Sequence, residues 1–297
     1  MPTERMTQNR VIRLLRDILD YTYLGDLHDK NNSNIDEALL KKHLKKAGYS
    51  DELIRRAVND LVISAKNSSK ILYDLNKDIY SMLRYGHSIK LSAGEQSKTV
   101  HFIDWKTPGN NDFYVAEEVT IFGENTKRPD IVIYINGIAI AVLELKRSSV
   151  SVSQGIRQNL DNQKDVFIKN FFATIQLCLA GNDTEGLRYG VIETKEKYYL
   201  QWKEDENVKD GISLAARKLM DSKGYKIDNH LIALLYPERL IDIIYNFIVF
   251  DGGDKKTCRP HQYFGVLAAK ARMGNKEGGV IWHMNISPPL SRHSGGA

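Results

Sequence analysis

The chain has 297 residues, of which 42% are hydrophobic, so it can build a sizeable core, and disorder of the whole chain is not expected. Its 42 basic and 37 acidic residues give a net charge of +5, which permits a polyanionic partner without requiring one. Cys178 and Cys258 stand far apart, outside any Cys/His cluster, and indicate neither a disulfide framework nor a zinc site. The polar N-terminus lacks the apolar core of a signal peptide, and no apolar run reaches the roughly 18 residues that span a bilayer. These features predict a soluble protein of the cytoplasm.

Residues 1–70 are predicted to be helical and to precede the main sheet. Apolar residues recur at helical spacing in three segments, RVIRLLRDILDY, IDEALLKKHLKKAG and SDELIRRAVNDLVISA. Gly48 ends the second segment and Ser50 is a plausible cap for the third. The second segment carries Lys41, Lys42, Lys45 and Lys46, which form either a solvated face or a patch that faces phosphates.

The chain from about residue 70 to residue 200 is predicted to form a mixed, largely antiparallel sheet. Short segments rich in Ile, Val, Tyr and Phe are broken by Gly, Asn and Pro, as expected of strands: KILYDL, DIYSML, TVHFIDW, YVAEEVTIF, DIVIYI and IAIAVLEL. Residues 151–172 return to a helical pattern, and three further strands are predicted at IQLCLAG, RYGVIET and YYLQWK. The predicted fold class is therefore α/β (α+β), with a central mixed sheet flanked by helices and an extra helical segment at the N-terminus.

The remainder of the chain is predicted to be helical, with helices in SLAARKLMDSKG, PERLIDIIYNFIVFDG and RPHQYFGVLAAKARMG. A domain boundary is placed near residue 225, so that residues 1–225 form the main domain and residues 226–283 begin a second one. Residues 284–297 contain two prolines with glycine and serine clusters and are not expected to fold.

The segment RPDIVIYINGIAIAVLELKRSS, residues 128–149, is one of the most apolar in the chain, yet it carries charges at both ends. Asp130 lies at its start, and Glu144 and Lys146 lie near its end. Because successive side chains of a strand point to opposite faces, Glu144 and Lys146 share one face. The dipeptide at positions 136 and 137, Asn-Gly, predicts a hairpin that folds the second strand back on the first.

The register of this hairpin decides whether the two carboxylates meet. A strict two-residue turn would set residue 130 opposite residue 143, so that Asp130 and Glu144 would point to opposite faces. A three-residue loop with Gly137 in a left-handed bulge position, or a bend at Pro129, would restore a shared face. An irregularity of this kind is therefore predicted.

Two carboxylates that converge on one spot suit a hard divalent cation such as Mg²⁺, which can clamp a phosphodiester and activate water. The backbone carbonyl of Leu145 is a natural extra ligand, and Lys146 could stabilise developing negative charge or orient the attacking water. The alternative is a plain salt bridge at the end of a sheet. An Asp followed at a distance by Glu-x-Lys is a weak pattern by itself, but uncompensated charge beside such apolar strands is costly without a purpose.

RPDIVIYINGIAIAVLELK resembles the PD-(D/E)xK nuclease motif, and the surrounding sequence resembles the N-terminal nuclease region of type I restriction enzyme R (motor) subunits. The resemblance continues through SVSQGIRQNLDNQ, LAGNDTEGLRYGVIETKEKYYLQW, RPHQYFGVLAAKAR and GGVIWH. It implies a restriction-endonuclease-like fold, DNA cleavage with Mg²⁺, and a following helicase-like motor that hydrolyses ATP. It also assigns metal binding to Asp130 and Glu144, and the role of catalytic lysine to Lys146.

Two further motifs are carried by the resemblance. The family's Gln-x-x-x-Tyr motif is matched at Gln158, whereas Asn162 stands where tyrosine is expected; this amide pair could contact the scissile phosphate or hold Lys146, or Gln158 could be an exposed helix amide. RPHQY resembles the adenine-recognising Gln motif of the motor, which implies that Arg259 and Gln262 bind adenine. The phosphate loop that follows in the family is missing after GGVIWH, so ATP is expected only for a longer motor.

The resemblance thus implies a Mg²⁺-dependent DNA endonuclease domain of a type I restriction enzyme R subunit. Double-stranded DNA and the modification and specificity subunits are the implied partners. A stand-alone structure-specific nuclease and a non-catalytic nucleic-acid-binding or assembly module are the alternatives. Glu4, near the start of the first helix, is a weak candidate for an additional carboxylate of the site.

Overall fold

The computed structural model describes residues 3–92, 94–276 and 278–279. The helices of this part of the chain are α1 (Glu4–Arg13), α2 (Glu37–Lys46), α3 (Asp51–Ala65), α4 (Leu72–Tyr85), α5 (Val152–Asn162), α6 (Gly211–Leu219), α7 (Lys226–Leu235), α8 (Pro237–Phe247) and α9 (Pro260–Gly274). The strands are β1 (Thr22–Asp26), β2 (His87–Ile89), β3 (Lys98–Val100), β4 (Phe113–Glu117), β5 (Ile131–Ile135), β6 (Ile138–Leu145), β7 (Leu177–Asn182), β8 (Gly186–Gly190), β9 (Val249–Asp251) and β10 (Asp254–Lys256).

Six of these strands form one central mixed sheet in the order β1-β4-β5-β6-β7-β8. β1 runs parallel to β4 and β6 runs parallel to β7, while the other neighbouring pairs are antiparallel. β2 pairs with β3, and β9 with β10, in two separate antiparallel hairpins. The predicted α/β restriction-endonuclease-like fold with a central mixed sheet is confirmed.

Both faces of the central sheet are covered, which explains why its middle strands are buried at every position and apolar at all but Glu144. On one face, residues such as Val142 and Ala180 pack with Val152 and Ile156 of α5. On the opposite face, residues such as Leu143 pack in a larger cluster that includes side chains of α1, α2, α3, α7 and α8. Charged groups can therefore reach solvent only where the strands end.

The predicted strands KILYDL and DIYSML are wrong, because the two segments together form α4. Its buried residues include Leu72, Leu75, Ile79 and Leu83, which follow the spacing of one helix face. Each six-residue segment is too short to distinguish this spacing from that of a strand, whereas the fourteen residues of α4 follow the helical period throughout.

The helical prediction for residues 1–70 is correct for α1, α2 and α3 but misses β1, which lies within it and forms the edge of the central sheet. Only the first two residues of TVHFIDW, Thr99 and Val100, are in a strand. YYLQWK contributes a single bridge between Leu200 and Tyr189 instead of a strand. Helix α7 was not predicted. These elements are short or lie at edges, where the hydrophobic pattern is weakest.

The β5–β6 hairpin is irregular, as predicted, but the predicted three-residue loop at Gly137 is wrong. Ile135 pairs with Ile138, so Asn136 and Gly137 form a regular two-residue turn, and both have positive φ angles, 55° and 86°. The register shifts further along, where Ile133 pairs with Ala141 and the next pair skips Ile140. This bulge at Ile140 sets Ile131 opposite Leu143, so the residue before β5 comes opposite Glu144.

The turn itself provides a test of this geometry. A side chain on Gly137 would place its Cβ 2.6 Å from the Asp36 carbonyl oxygen and 2.8 Å from the Leu39 Cβ, in addition to the strain of its positive φ. We expect Gly137→Ala to lower the free energy of unfolding by about 3 kcal/mol, measured by urea denaturation. Gly253→Ala is the matched control, because φ is +89° there and nothing lies within 4 Å of the new Cβ. An equal loss for both variants would show that the contact with Asp36 does not matter.

The larger hydrophobic cluster contains residues on both sides of position 225, such as Leu187 and Tyr189 before it and Ile227 and Leu231 after it. The predicted boundary near residue 225 stays a prediction. The predicted tail at residues 284–297 lies outside the described residues. Within the described part of the chain, no helix has both the length and the apolar character needed to cross a membrane.

Candidate active site

Asp130 and Glu144 meet at the end of the central hairpin, on the face of the sheet that α5 covers. Asp130 lies directly before β5, and its Oδ2 accepts a hydrogen bond of 2.7 Å from the backbone N–H of Leu145. This bond fixes the Asp130 carboxylate beside the last residues of β6. Because of the bulge at Ile140, Glu144 points to the same face of the sheet as Asp130, as the predicted site requires.

The carboxylate of Glu144 is fully buried and is held by two amides of α5. Gln158 Nε2 donates to Glu144 Oε2 at 2.5 Å, and Asn162 Nδ2 donates to Glu144 Oε1 at 3.4 Å. Positions 158 and 162 are one helical turn apart and therefore share a face. The amide pair therefore holds Glu144 and not Lys146. Gln158 is only partly exposed, and its contact with a scissile phosphate stays a prediction.

Burial raises the pKa of both carboxyl groups. The pKa of Asp130 rises to about 6, chiefly because desolvation disfavours its charged form. The pKa of Glu144 lies well above its ordinary value because of desolvation and the neighbouring negative charge of Asp130. Two carboxylates placed so closely in an apolar setting repel each other, and a cation between them would relieve that repulsion.

Lys146 extends from the end of β6 towards the same place. Its ammonium donates to the carbonyl oxygen of Leu145 at 2.7 Å, and it lies 3.8 Å from Glu4 Oε1. The second oxygen of Glu4 accepts a bond of 3.3 Å from the backbone N–H of Arg147. Glu4 contributes to the raised pKa values of Asp130 and Glu144. The weak candidate Glu4 therefore does lie beside the site.

Helix α1 carries Glu4 and lies across the strand ends. Thr7 donates to Asp183 at 3.0 Å, and Gln8 Nε2 donates to the Asp130 carbonyl oxygen at 3.4 Å and to Glu117 Oε2 at 2.9 Å. Neither Gln8 nor Glu117 was predicted from the sequence. Glu117 ends β4 and is almost fully buried. Two adjacent glutamates inside the apolar segment YVAEEVTIF were the sequence signal, because charge beside apolar strands needs compensation.

The residues present fit Mg²⁺. Among the described residues, no group of three or more His, Cys, Asp or Glu side chains is arranged to hold a metal ion. The donor set predicted from the sequence is the carboxylates of Asp130 and Glu144 with the carbonyl of Leu145, and binding of Mg²⁺ to it stays a prediction. Mg²⁺ commonly uses one or two carboxylates and keeps several waters, so this all-oxygen set is adequate.

Comparison with known proteins identifies the family of this chain. The family model for the N terminus of the type I restriction enzyme R protein matches residues 1–197 of the chain. The chain belongs to this family. It is 30% identical over 254 residues to the HindI endonuclease subunit of Haemophilus influenzae, a type I restriction enzyme, covering 78% of this chain and 23% of the relative. It is 29% identical over 248 residues to the MjaVIIIP endonuclease subunit of Methanocaldococcus jannaschii, covering 79% of this chain and 22% of the relative.

The chain spans about a quarter of the length of these curated relatives of the R-protein family. The residues of the carboxylate site lie within the part that the family model matches. Arg259 and Gln262 lie beyond it, at the start of α9, where Gln262 Oε1 accepts a bond of 2.8 Å from the Arg259 backbone N–H. They have no hydrogen bond or ion pair with the carboxylate site, and their adenine-binding role stays a prediction.

Proposed function

We propose that this chain is the DNA endonuclease part of a type I restriction enzyme R subunit and hydrolyses phosphodiester bonds with Mg²⁺. The observation that carries the proposal is the convergence of Asp130, Glu144 and Lys146 at one end of the β5–β6 hairpin, with the two carboxylates on a shared face. The membership of the family and the naming of its relatives as endonuclease subunits support the same function.

Asp130, Glu144 and the Leu145 carbonyl would hold the ion. When bound, Mg²⁺ would neutralise negative charge on the phosphate and lower the pKa of a water molecule that it holds. The Leu145 carbonyl accepts from the Lys146 ammonium, which would compete with the ion for this oxygen. The ammonium can also hydrogen-bond a non-bridging phosphate oxygen or the attacking water, where its positive charge favours the transition state.

The surrounding side chains position these groups. Gln158 and Asn162 fix the two oxygens of Glu144, so the carboxylate loses little orientational freedom when it binds a cation. Glu4 lies 3.8 Å from the Lys146 ammonium and offers it a second, anionic partner. The side chains that perform the chemistry thus come from strand ends, and those that orient them come from α1 and α5.

The full enzyme would supply the rest of the function. We place double-stranded DNA at the strand ends, and we assign target recognition to separate modification and specificity subunits. ATP-driven translocation of DNA belongs to a motor that follows in the longer relatives. These assignments rest on the family and on the relatives' greater length, since this chain covers 23% of the HindI subunit.

The test is cleavage by the complete enzyme that contains this chain, with its partner subunits, ATP and Mg²⁺. Asp130→Ala, Glu144→Ala and Lys146→Ala should each abolish double-strand cleavage while leaving ATP hydrolysis intact. Normal cutting by all three variants would overturn the assignment. Cleavage of branched DNA by this chain alone would favour a stand-alone nuclease, and a lack of Mg²⁺ or Mn²⁺ binding that depends on Asp130 and Glu144 would favour a non-catalytic module.

A further inference from the structure

A cavity of about 580 Å³ opens at the far end of the central hairpin, between four separate parts of the chain. Its walls come from α2 and the loop after it, from the end of α4, from residues 101–110 and from α8. Asn136 marks this end of β5, because its side chain donates to Phe102 and Asn111 in the same loop. The length of β5 separates this end from Asp130 by roughly 20 Å, so the cavity is not part of the carboxylate site.

The cavity has an aromatic wall. The rings of Trp105 and Tyr245 stack with their centres 5.3 Å apart and their planes at 29°. The Trp105 indole N–H donates to the Leu83 carbonyl, which fixes the orientation of the ring, and the Arg84 guanidinium lies 4.4 Å from the centre of the Tyr245 ring. Trp105 and Tyr245 are only partly buried. A rigid, partly exposed pair of rings suits a flat ligand that stacks.

The cavity is also positively charged. Lys46, Arg84 and Lys106 line it, against the single carboxylate of Asp104. Asp104 is already engaged by the backbone N–H groups of Lys106 and Thr107 and by the Asn110 amide. Lys46 lies 3.2 Å from Asp112, whereas in the described part of the chain the Lys106 ammonium has no ion-pair partner. The excess of positive charge favours an anionic ligand.

A buried polar atom at the wall supports the same conclusion. His43 lines the cavity and is 5% exposed, and its Nδ1 has no hydrogen-bond partner among the described residues. The nearest carboxylate oxygen, on Asp112, is 3.7 Å away. The buried Nε of Arg84 likewise has no hydrogen-bond partner there. Unsatisfied polar atoms beside a cavity are common where a ligand or ordered water completes the network.

We propose that this cavity binds a phosphorylated nucleotide, with the base against Trp105 and Tyr245 and the phosphate near Lys46 and Lys106. The volume suits one nucleotide, since ligand cavities typically measure about 300–1,000 Å³. The same chemistry is offered by a free mononucleotide and by the 5′-phosphorylated end of a single strand. Because Tyr245 belongs to α8 and Lys46 to α2, an occupied cavity would tie the C-terminal helices to the N-terminal ones.

Isothermal titration calorimetry on the full chain tests the proposal with adenosine 5′-monophosphate, adenosine, inorganic phosphate and a 5′-phosphorylated tetrathymidylate. The monophosphate should bind saturably, and adenosine and phosphate alone at least about tenfold more weakly, because each lacks one half of the interactions. The double variant Lys46→Gln/Lys106→Gln should weaken binding about tenfold or more, since it removes two charged contacts with the phosphate. Trp105→Leu should weaken it similarly.

The matched control is Lys42→Gln/Lys45→Gln, which removes the same charge from α2 outside this cavity and should change the affinity less than about twofold. Both lysines of the Lys46/Lys106 pair are on the surface, so that variant remains informative even if Trp105→Leu does not fold. No saturable binding of the monophosphate, or equal affinity in both double variants, would overturn the proposal. Tighter binding of the free nucleotide or of the oligonucleotide identifies the natural source, and either result supports the site.

Separate variants test the nucleotide site and the proposed nuclease function, so that either can be overturned without the other. Glu144→Gln should leave the affinity for the monophosphate unchanged, because Glu144 lies at the opposite end of the hairpin. Lys46→Gln/Lys106→Gln should leave binding of Mg²⁺ to the carboxylate site unchanged. A loss of nucleotide binding in Glu144→Gln would place the nucleotide at the carboxylate site and would overturn the second site.

Discussion

Glu144→Gln is expected to abolish DNA cleavage and, at the same time, to stabilise the metal-free protein. The carboxylate is fully buried, and its pKa is raised by burial and by the charge of Asp130. A neutral amide of the same shape removes that repulsion and cannot serve as a strong ligand for Mg²⁺. Cleavage by the complete enzyme should fall roughly a thousandfold or more, since several kcal/mol of transition-state stabilisation are lost at about 1.4 kcal/mol per factor of ten.

The stability of the metal-free protein should depend on pH in a direction that the raised pKa values fix. Between about pH 4, where free carboxyl groups ionise, and the raised pKa values of the folded protein, the folded state binds more protons than the unfolded state. Stability therefore falls as pH rises through this window, which extends through pH 6 because the pKa of Asp130 is about 6. Above that pH the ionised carboxylates still destabilise the folded state, and Glu144→Gln removes part of this destabilisation.

Thermal unfolding at pH 8 in EDTA measures this effect. Glu144→Gln should raise Tm by about 2 °C or more, which corresponds to a gain of about 1 kcal/mol for a domain of this size. Asn162 can reverse its amide to accept from the new side chain, because its Oδ1 has no hydrogen-bond partner among the described residues. Adding Mg²⁺ should raise the Tm of the unsubstituted protein but not that of the variant. A lower Tm for the variant in EDTA would indicate that Glu144 is a partner in a structural salt bridge.

Removal of Arg239 is expected to cause the largest loss of stability among substitutions outside the carboxylate site. Its side chain is fully buried, and both terminal nitrogens donate to Glu204 at 2.8 Å. They also donate to the Ala233 carbonyl and to the Ser213 hydroxyl, both at 2.8 Å. The guanidinium lies 5.3 Å from the centre of the Trp202 ring. One side chain thus joins a loop, α6, α7 and α8.

Arg239→Ala should lower the free energy of unfolding by about 3–5 kcal/mol, because it leaves the mostly buried Glu204 without its partner. Arg239→Lys should recover only part of this loss, since an ammonium cannot make the paired contact with both carboxylate oxygens. Urea denaturation followed by circular dichroism measures both variants.

The double variant Arg239→Ala/Glu204→Ala should be less destabilised than the sum of the two single variants, which identifies the pair as coupled. The control is Lys256→Ala, which breaks an exposed ion pair with Asp251 and should leave stability unchanged within error. A loss for Arg239→Ala no larger than that of the control would show that the C-terminal helices do not depend on this contact.

The three charged residues of the candidate site could be singled out from the sequence, and their chemical roles stay predictions. Charges at both ends of an apolar hairpin indicated Asp130, Glu144 and Lys146, because such charges need compensation. The alternation of strand side chains was enough to place Glu144 and Lys146 on one face, and the Asn-Gly turn was enough to pair the two strands. All three inferences depend on local backbone geometry, which the sequence determines directly.

The place of the register shift was decided only by the tertiary structure. All eight residues of β6 are buried, so the strand shows no alternation of polar and apolar residues that could reveal which position is skipped. The sequence predicts a core position equally for three neighbouring residues, Ala139, Ile140 and Ala141. Packing on both faces at once selects Ile140 as the bulged position, and that choice brings Glu144 opposite Asp130.

The contacts of the site with α1 and α5 could not be derived from sequence patterns, although Glu4 was a weak candidate. Glu4 lies 142 positions before Lys146, and no local pattern joins α1 to the end of β6; the ion pair at 3.8 Å exists because α1 crosses the strand ends. Gln158 could be assigned to a helix face, but whether that face meets Glu144, Lys146 or water depends on how α5 packs on the sheet. The sequence by itself thus determined which groups are available and which strands carry them, because side-chain periodicity is local. The tertiary structure decided which groups meet, because packing on two faces joins residues that are distant in the chain.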